Sequence, residues 1–498
     1  MPRRPAPNLR TCVPCLPHFA AALLAGVILV TGPGCKESTG PSSADIGLTV
    51  VAGGGQTDTA LARLSQALII QLRDSSGRIV AGETVRLQSV PGDSLCPSSV
   101  WVAGLASTSF GPLLAESTDA SGEVAVLLQL DAVAGRGRIA VSAPRFGYQD
   151  TVSFTTLPAA PTQVVVGPRD TALYVGHTFS VRGYVADAYG NRRSDPVTYQ
   201  SLDTGTTVSP SGQATGAFIG RSSMQVKATA SSIAGTVHVS VVPQGTIAAV
   251  AGSFVAYPTN AVVAVNLDGS GVAVIPQSAG DNNYLQWSPG GSSLLLFRPA
   301  SGGHLYTISL SGTTTQLVQG AAFAEDNWAR YAAGGTYVYF RGARSFAGPG
   351  YIWRIRPNGT GLDSVPVGAG TQPAPSPDGT RVAYVASNGG LHVYDYGAHT
   401  DLDLGIGGWA PHWSPDGVWI AFAAGMDGAI SVVKPDGTGQ RLLTPSGYYD
   451  WSFDWSPDSQ WVVAFDPRRG VIDLVQVPTG LALPLPFTEG LWQPTWKP

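Results

Sequence analysis

The second half of the chain repeats a short segment in which an aromatic residue precedes a Ser-Pro-Asp-Gly turn and a strand-like run. The clearest copy is Trp413-Ser-Pro-Asp-Gly, and its aligned positions elsewhere are 287, 331, 375, 455 and 496. The spacings between these six positions are 44, 44, 38, 42 and 41 residues. A period of about 42 residues is typical of units of four short strands, which must stack because one unit cannot bury both of its faces.

The turn residues explain why the motif recurs. Ser can begin a type I turn, Pro fixes φ at the next position, and Gly closes the turn before the chain reverses. Each turn is followed by a run that predicts a strand, at 293–297, 337–340, 381–385, 418–422 and 461–465. Four units then carry a hairpin signal further along: Asp268-Gly269, Ser311-Gly312, Asn358-Gly359 and Asp436-Gly437.

The repeat count closes at six. Residues 245–277 supply three strands that lack a first strand, and the segment around Trp496 supplies a first strand that lacks the other three. Pairing these two segments would complete one unit and remove the open sheet edges that an unclosed array leaves. We therefore expect a ring of six units closed by N-terminal and C-terminal strands.

Residues 245–498 resemble the TolB-type six-bladed β-propeller, whose repeats carry W-S-P-D-G before strands of the I-A-F type. The unit at Tyr331 lacks Ser-Pro and the unit at Pro375 lacks the Trp. The resemblance implies the propeller fold. It does not carry a Tol-Pal role with it, because different modules stand where that family has its N-terminal domain.

The composition predicts an all-β protein throughout. Only 12% of residues are charged, whereas Gly numbers 62 and Pro 38, as suits short strands and tight turns. Residues 46–157 and 158–244 each contain strand-like runs at the spacing of a β-sandwich. Both stretches resemble bacterial Ig-like domains of the invasin type, through RDSSGRIVAGETVRL in the first and VADAYGN in the second. We expect two Ig-like β-sandwiches ahead of the propeller.

The N-terminus predicts export. Three arginines precede an uncharged run from Phe19 to Val30, which is too short for a membrane span, and Gly34-Cys35 follows. This arrangement resembles a lipoprotein signal, which implies a signal peptide at 1–34, acylation of Cys35 and a tether over 35–45. Lys36 after the cysteine resembles the sorting context of outer-membrane lipoproteins. A plain cleaved signal or an uncleaved anchor remains open, and without acylation Cys35 could pair with Cys96.

The net charge argues against nucleic acid as a partner. The chain carries −4, and this becomes −7 when the three arginines of the predicted signal are removed. Nucleic-acid binding needs a basic surface, so the expected partners are an envelope or extracellular protein, a peptide or a glycan, together with the membrane through the lipid anchor. We expect no cofactor, and the sequence does not specify a metal.

Two sets of residues are candidates for a site. The positions just before the aligned residues would meet at one height around the channel, where Gln286, Arg330, His412 and Asp454 could hold a small polar ligand or ion; the alternative is a polar lining of a wet channel. The loops that enter each first strand combine aromatic and acidic residues, as recognition surfaces do, unless those rings pack between blade tips. This candidate binding face comprises Tyr284, Glu325, Asp326, Trp409, Tyr448, Tyr449, Asp450, Trp451 and Trp492.

The sequence contains none of the common catalytic motifs, such as G-x-S-x-G, H-E-x-x-H or the phosphate-binding G-x-x-x-x-G-K-[ST]. The prediction is therefore a non-catalytic cell-envelope lipoprotein that displays a propeller on two spacer modules for protein, peptide or glycan binding. Two alternatives stay open: a propeller enzyme that cleaves glycans in its channel as a lyase or hydrolase, and a structural envelope scaffold.

Overall fold

A computed structural model describes residues 46–252, 260–299, 303–319, 322–345, 348–425, 428–445 and 452–498. Its regular structure is almost entirely β, as the composition predicts, with two short 3₁₀ helices at Ala333–Gly335 and Pro486–Thr488. The chain forms two successive β-sandwiches and then a six-bladed propeller.

The first sandwich packs a four-stranded sheet against a five-stranded sheet. The strands are β1 (Gly47–Ala52), β2 (Thr57–Thr59), β3 (Leu68–Arg73), β4 (Thr84–Val90), β5 (Val100–Gly104), β6 (Leu113–Ser117), β7 (Glu123–Leu130), β8 (Gly135–Ala143) and β9 (Tyr148–Leu157). The sheet orders are β1-β3-β7-β5 and β2-β9-β8-β4-β6. In β3, β4, β7 and β8 buried residues alternate along the strand, so one face of each sheet supplies the shared core. Cys96 is buried here as a free thiol.

The second sandwich is built from three smaller sheets. Its strands are β10 (Pro161–Gly167), β11 (Asp170–Tyr174), β12 (Thr178–Ser180), β13 (Arg182–Asp187), β14 (Val197–Ser201), β15 (Thr206–Val208), β16 (Gln213–Gly216), β17 (Gly220–Ala228) and β18 (Ala234–Val242). The sheet orders are β10-β13, β11-β18-β17-β14 and β12-β16-β15. Val185, Ala214, Val226 and Val239 bring residues of all three sheets into one core.

Each propeller blade is a four-stranded antiparallel sheet. Blade two comprises β22 (Asn283–Trp287), β23 (Ser293–Arg298), β24 (His304–Ser309) and β25 (Thr314–Gln316). Blade three comprises β26 (Glu325–Tyr331), β27 (Val338–Ala343), β28 (Tyr351–Ile355) and β29 (Asp363–Ser364), and blade four β30 (Gly370–Pro375), β31 (Arg381–Ala386), β32 (Gly390–Asp395) and β33 (Thr400–Gly407). Blade five comprises β34 (Trp409–Trp413), β35 (Ile420–Ala424), β36 (Ala429–Val433) and β37 (Arg441–Leu442), and blade six β38 (Phe453–Trp455), β39 (Trp461–Asp466), β40 (Val471–Gln476) and β41 (Ala482–Leu485).

Blade one joins the two ends of the repeat region. It contains β19 (Thr246–Ala251), β20 (Val262–Asn266) and β21 (Ala273–Val274), and its first strand is the C-terminal β42 (Leu491–Trp496). Strands β19 and β42 pair antiparallel, with Ile247 opposite Trp496. The predicted closure of the ring is therefore confirmed.

Apolar side chains fill every junction between adjacent blades. Six separate buried clusters each join residues of two neighbouring blades. The motif tryptophans Trp287, Trp413, Trp455 and Trp496 belong to these clusters and are almost fully buried. Their burial explains the recurring aromatic residue, because a large ring packed between two blades contributes more apolar area than an aliphatic side chain would.

The Ser-Pro-Asp-Gly turns are held by their own side chains. In blade five, Ser414 donates a 2.6 Å hydrogen bond to Asp416 and accepts one from the backbone N–H of Trp419. Because consecutive strands are antiparallel, these turns lie at one end of each blade, and the loops entering the first strands lie at the other. We call these two ends the turn face and the entry face.

Candidate functional site

Six residues occupy the same register position in the first strands of the six blades. Each lies opposite a residue in the middle of the second strand, as Arg330 lies opposite Tyr339 and His412 opposite Ala421. We call these six residues the channel ring: Gln286, Arg330, Ala374, His412, Asp454 and Thr495. The structure thus places together all four ring candidates named from the sequence.

Among the described residues, a β-bulge precedes the channel ring in five first strands, those of blades one to five. The residue two positions before the ring residue there has a positive φ although it is not glycine, between 50° and 56°: Tyr284, Trp328, Gln372, Ala410 and Gln493. Positive φ strains such residues, and strained backbone concentrates where a structure holds side chains in fixed directions. No pattern in the sequence predicts these bulges.

The bulge residues narrow the channel towards the entry face. The rings of Tyr284 and Trp328 lie 3.9 Å apart, centroid to centroid. The cavity at this level, which Gln372 and Ala410 also line, measures only about 20 Å³, which is space for about one water molecule. The channel is therefore nearly closed on this side.

The channel opens on the turn face instead. A cavity of about 260 Å³, which we call the turn-face cavity, lies between the channel ring and the turns that follow the first strands. Its floor carries Gln286, Arg330 and His412. The remaining lining is largely apolar: Trp287, Pro289, Tyr331, Ala332, Ala374, Pro375, Pro377, Trp413, Pro415 and Pro498. The motif prolines therefore have a second place besides the turns, at the mouth of this cavity, which the turn pattern in the sequence does not predict.

The carboxylate of Asp454 accepts hydrogen bonds from other groups of the protein. Its Oδ2 accepts a 2.6 Å hydrogen bond from the Thr495 hydroxyl and a 3.0 Å bond from the backbone N–H of Trp496, and its Oδ1 accepts one from the N–H of Trp455. Burial raises the pKa of Asp454, while the charge of Arg330 and these hydrogen bonds oppose that shift. The carboxylate thus fastens blade six to the C-terminal strand.

His412 is a neutral residue beside this carboxylate. Its Nδ1 lies 3.3 Å from Oδ1 of Asp454, and its side chain is 12% exposed. Burial lowers the pKa of His412 well below its ordinary value, the nearby charge of Arg330 lowers it further, and the carbonyl of Phe453 partly opposes both. The imidazole is therefore uncharged at neutral pH and adds no positive charge to the channel.

Arg330 is the cation of the channel ring. Blades three and six are opposite each other in a six-fold ring, so Arg330 faces Asp454 across the channel, and the two side chains form no ion pair within 4 Å. Burial lowers the pKa of Arg330 and the charge of Asp454 opposes this; the guanidinium stays protonated at neutral pH because its ordinary pKa is so high. Within the described residues, its side chain has no hydrogen-bond partner.

The described members of the candidate binding face are mostly engaged in packing or pairing. Asp326 is 1% exposed and its carboxylate accepts bonds from His304 and from the backbone N–H of Leu305, so it cannot reach a partner at the surface. Glu325 pairs with Arg341, whereas Trp409 and Trp492 pack on clusters between blades. Four further members lie outside the described residues: Tyr448, Tyr449, Asp450 and Trp451. Cys35, the predicted acylation site, lies outside them as well.

The described residues lack two kinds of feature, a metal-binding cluster and a membrane-spanning helix. No group of three or more His, Cys, Asp and Glu side chains there is arranged to hold a metal ion. Among the same residues we find no helix with the length and apolar composition of a transmembrane span.

Solved structures with a likeness to this chain include TolB-type propeller proteins. TolB from Acinetobacter baumannii is 16% identical over 62% of this chain and 84% of its own, with a TM-score of 0.43. A putative TolB from Agrobacterium tumefaciens is 19% identical over 52% and 100%, with a TM-score of 0.40. An oligogalacturonate lyase in complex with manganese is 16% identical over 49% and 73%, with a TM-score of 0.31. With TM-scores below 0.5, these similarities indicate nothing about the function of this chain.

Comparisons of sequence add no family. No family model matches the chain. No curated protein matches it either.

Proposed function

We propose that this chain is a non-catalytic recognition protein of the cell envelope, which binds a protein, peptide or glycan at the turn face of its propeller. The observation that carries the proposal is the asymmetry of the channel, which is nearly closed by Tyr284 and Trp328 on the entry face and widens to about 260 Å³ on the turn face. Binding sites in proteins are concave and largely apolar with few polar groups, which describes the turn-face cavity.

Display of the propeller is supported by the joint between the second sandwich and blade one. The Tyr174 hydroxyl donates a 2.8 Å hydrogen bond to the carbonyl of Gly245 and accepts a 3.1 Å bond from the N–H of Leu267. Ala172, Tyr174 and Val242 also belong to the apolar cluster between blades six and one. A joint with buried apolar contacts and satisfied polar groups holds the propeller in one orientation, which suits a spacer.

The joint between the two sandwiches is built in a similar way. Asp187 is fully buried and accepts hydrogen bonds from the N–H of Ala159 and from the side-chain amide of Asn191. The same amide donates to the carbonyl of Ala132, and its Oδ1 accepts from the N–H of Ala134. One loop of the second sandwich thereby holds a turn of the first sandwich and the segment at Ala159 that connects the two sandwiches, as we expect of modules that hold the propeller away from the membrane.

Site-specific photo-cross-linking tests the proposed binding face. A benzophenone amino acid is introduced into the full chain at Val418, which is 46% exposed on the turn face, or at the exposed Ser387 on the entry face. After irradiation in the native envelope, we expect a discrete adduct from the Val418 protein and none from the Ser387 protein. Adducts from Ser387 alone would overturn the proposed face, and no adduct from either position would favour the scaffold alternative.

The proposed anchor has its own test. Mass spectrometry of the N-terminal peptide of the mature protein should find a chain that begins at Cys35 with its thiol acylated. An unmodified Cys35 would replace the lipoprotein assignment with a soluble exported form.

A further inference from the structure

Hydrogen-bond donors outnumber acceptors on the floor of the turn-face cavity. The Oε1 atom of Gln286 accepts a 2.7 Å hydrogen bond from the N–H of Tyr331, so its Nε2 group is the free branch of the amide. This Nε2 group, like the Arg330 guanidinium, has no hydrogen-bond partner among the described residues, and both residues line the cavity. Gln286 and Arg330 hold equivalent positions in adjacent blades and both line this cavity.

The one carboxylate of the channel ring does not cancel this imbalance. Asp454 accepts two hydrogen bonds from Thr495 and Trp496 of the C-terminal strand and a third from the N–H of Trp455, and it belongs to the blade opposite that of Arg330. His412 is neutral and adds no charge to the floor. The Thr495 hydroxyl is uncharged too, and it donates its hydrogen to Asp454. A single positive charge with a neighbouring neutral donor therefore remains for a ligand.

This arrangement fits a carboxylate better than a phosphate. A planar carboxylate can accept two parallel bonds from a guanidinium and a third from the Gln286 amide, and its single charge matches that of Arg330. A phosphate dianion would leave one charge uncompensated in a partly dehydrated cavity, which is costly.

The walls of the cavity indicate what carries the carboxylate. Trp287 and Trp413 flank the cavity, and Pro289, Pro377 and Pro415 line its mouth. A volume of about 260 Å³ lies just below the range of cavities that enclose drug-sized ligands. The cavity therefore has room for one apolar side chain or ring behind the carboxylate, but not for a long segment.

We infer that the turn-face cavity binds a carboxylate group carried on a small apolar body, with Arg330 and Gln286 as the groups that hold it. The inference rests on the proposed binding role of the turn face and names the chemistry of what enters there. Two sources share this chemistry: a free carboxylic acid and the C-terminal residue of a peptide chain.

Calorimetric titration of the full chain tests the inference with two matched pairs of probes. These are benzoate against benzamide, and N-acetyl-L-phenylalanine against its amide, with inorganic phosphate as a third anion. We expect each carboxylate to bind about tenfold or more tightly than its amide, and phosphate to bind more weakly than benzoate. Tighter binding of N-acetyl-L-phenylalanine than of benzoate would identify a chain end as the source, and the reverse order a free acid.

Three variants separate the site from general charge effects. Arg330→Gln removes the cation, and Gln286→Glu keeps the acceptor for Tyr331 while placing a negative charge beside Arg330; we expect each to weaken benzoate binding about tenfold or more. Arg356→Gln removes an exposed arginine of the same blade and should leave binding unchanged. The Gln286→Glu variant keeps the test decisive if Arg330→Gln does not fold.

Equal binding of carboxylate and amide, or full binding by folded Gln286→Glu or Arg330→Gln, would overturn the inference. The cross-linking result distinguishes this failure from that of the proposed function. If the Val418 adduct forms while no probe discriminates carboxylate from amide, the turn face binds a partner by other chemistry. If the Val418 adduct is also absent, both proposals fall.

Discussion

The Asp454 carboxylate accepts a 2.6 Å hydrogen bond from the Thr495 hydroxyl, and this contact joins the last complete blade to the C-terminal strand of blade one. The same oxygen accepts the N–H of Trp496. A ring residue that resembled a ligand group in the sequence is therefore a fastening of the propeller. One side chain of the channel ring thus adds two hydrogen bonds to the closure that the pairing of β19 with β42 provides.

Removing this fastening should destabilise the propeller. Asp454→Ala leaves the Thr495 hydroxyl and two backbone N–H groups without their acceptor, so we expect a loss of about 3 kcal/mol or more in the free energy of unfolding. Thr495→Val removes one donor from the same network and should cost about 1 to 2 kcal/mol. Urea denaturation, monitored through tryptophan fluorescence, measures the free energy of unfolding of both variants. Equal stability of Asp454→Ala and the wild type would refute the fastening role.

Acid should weaken the turn of blade four through Asp378. Hydrogen bonds from Ser376 and Thr380 outweigh the effect of burial and lower the pKa of Asp378 to about 2, so its contribution to stability is complete above its unfolded pKa of about 4. That contribution is lost as the pH falls from about 4 towards 2. Because the side chain is about half exposed, we expect a contribution of about 1 kcal/mol or less.

The matched variant for this titration is Asp378→Asn. It lacks the carboxyl proton, so the stability advantage of the wild type over the variant should shrink between pH 4 and pH 2. Denaturation curves at four pH values in that range measure the difference. A constant difference across the range would mean that Asp378 does not titrate in this window.

The turn of blade six has a strained backbone at Ser459, which substitutions can test. Ser459 has a φ of 62° where the turns of blades four and five have Gly379 and Gly417, and its hydroxyl accepts a 3.0 Å bond from the N–H of Asp416. Ser459→Gly relieves the strain but loses the bond, so these effects of about 1 kcal/mol each should nearly cancel. Ser459→Ala loses the bond and keeps the strain, and should be less stable by about 1 kcal/mol or more. An alanine variant more stable than the glycine variant in thermal denaturation would contradict this account.

The joint at Tyr174 should couple the unfolding of the second sandwich to that of the propeller. Tyr174→Phe leaves the carbonyl of Gly245 and the N–H of Leu267 without their partner, so we expect the joint to weaken by about 1 to 3 kcal/mol. Calorimetry should then resolve an additional transition, and proteolysis near residue 245 should accelerate. Tyr184→Phe in the same sandwich is the control. Unchanged cleavage in Tyr174→Phe would mean that the apolar cluster alone holds the joint.

The repeat made the ring predictable from sequence. Because the turn motif fixes where each first strand ends, the residue before each motif could be placed at one register, and Gln286, Arg330, His412 and Asp454 do lie at equivalent positions. Closure by β42 was predictable because two incomplete units stood at the two ends of the repeat region.

The roles of those residues were not predictable, because they depend on distant partners. Asp326 looked like a surface acid, yet His304 and Leu305, about twenty residues earlier in the chain, bury and bind it. The bulges at Tyr284 and Trp328, which bring two rings of adjacent blades into contact beside the channel, have no sequence signature, since neither residue type favours positive φ. The difference in width between the two ends of the channel therefore could not be predicted from the sequence.

The most direct test of the account is to repeat the Val418 cross-linking in an Arg330→Gln background. We predict that the adduct disappears in Arg330→Gln and persists in Arg356→Gln, with thermal denaturation used to establish that each variant is folded. An adduct of undiminished yield in a folded Arg330→Gln protein would contradict recognition through the turn-face cavity.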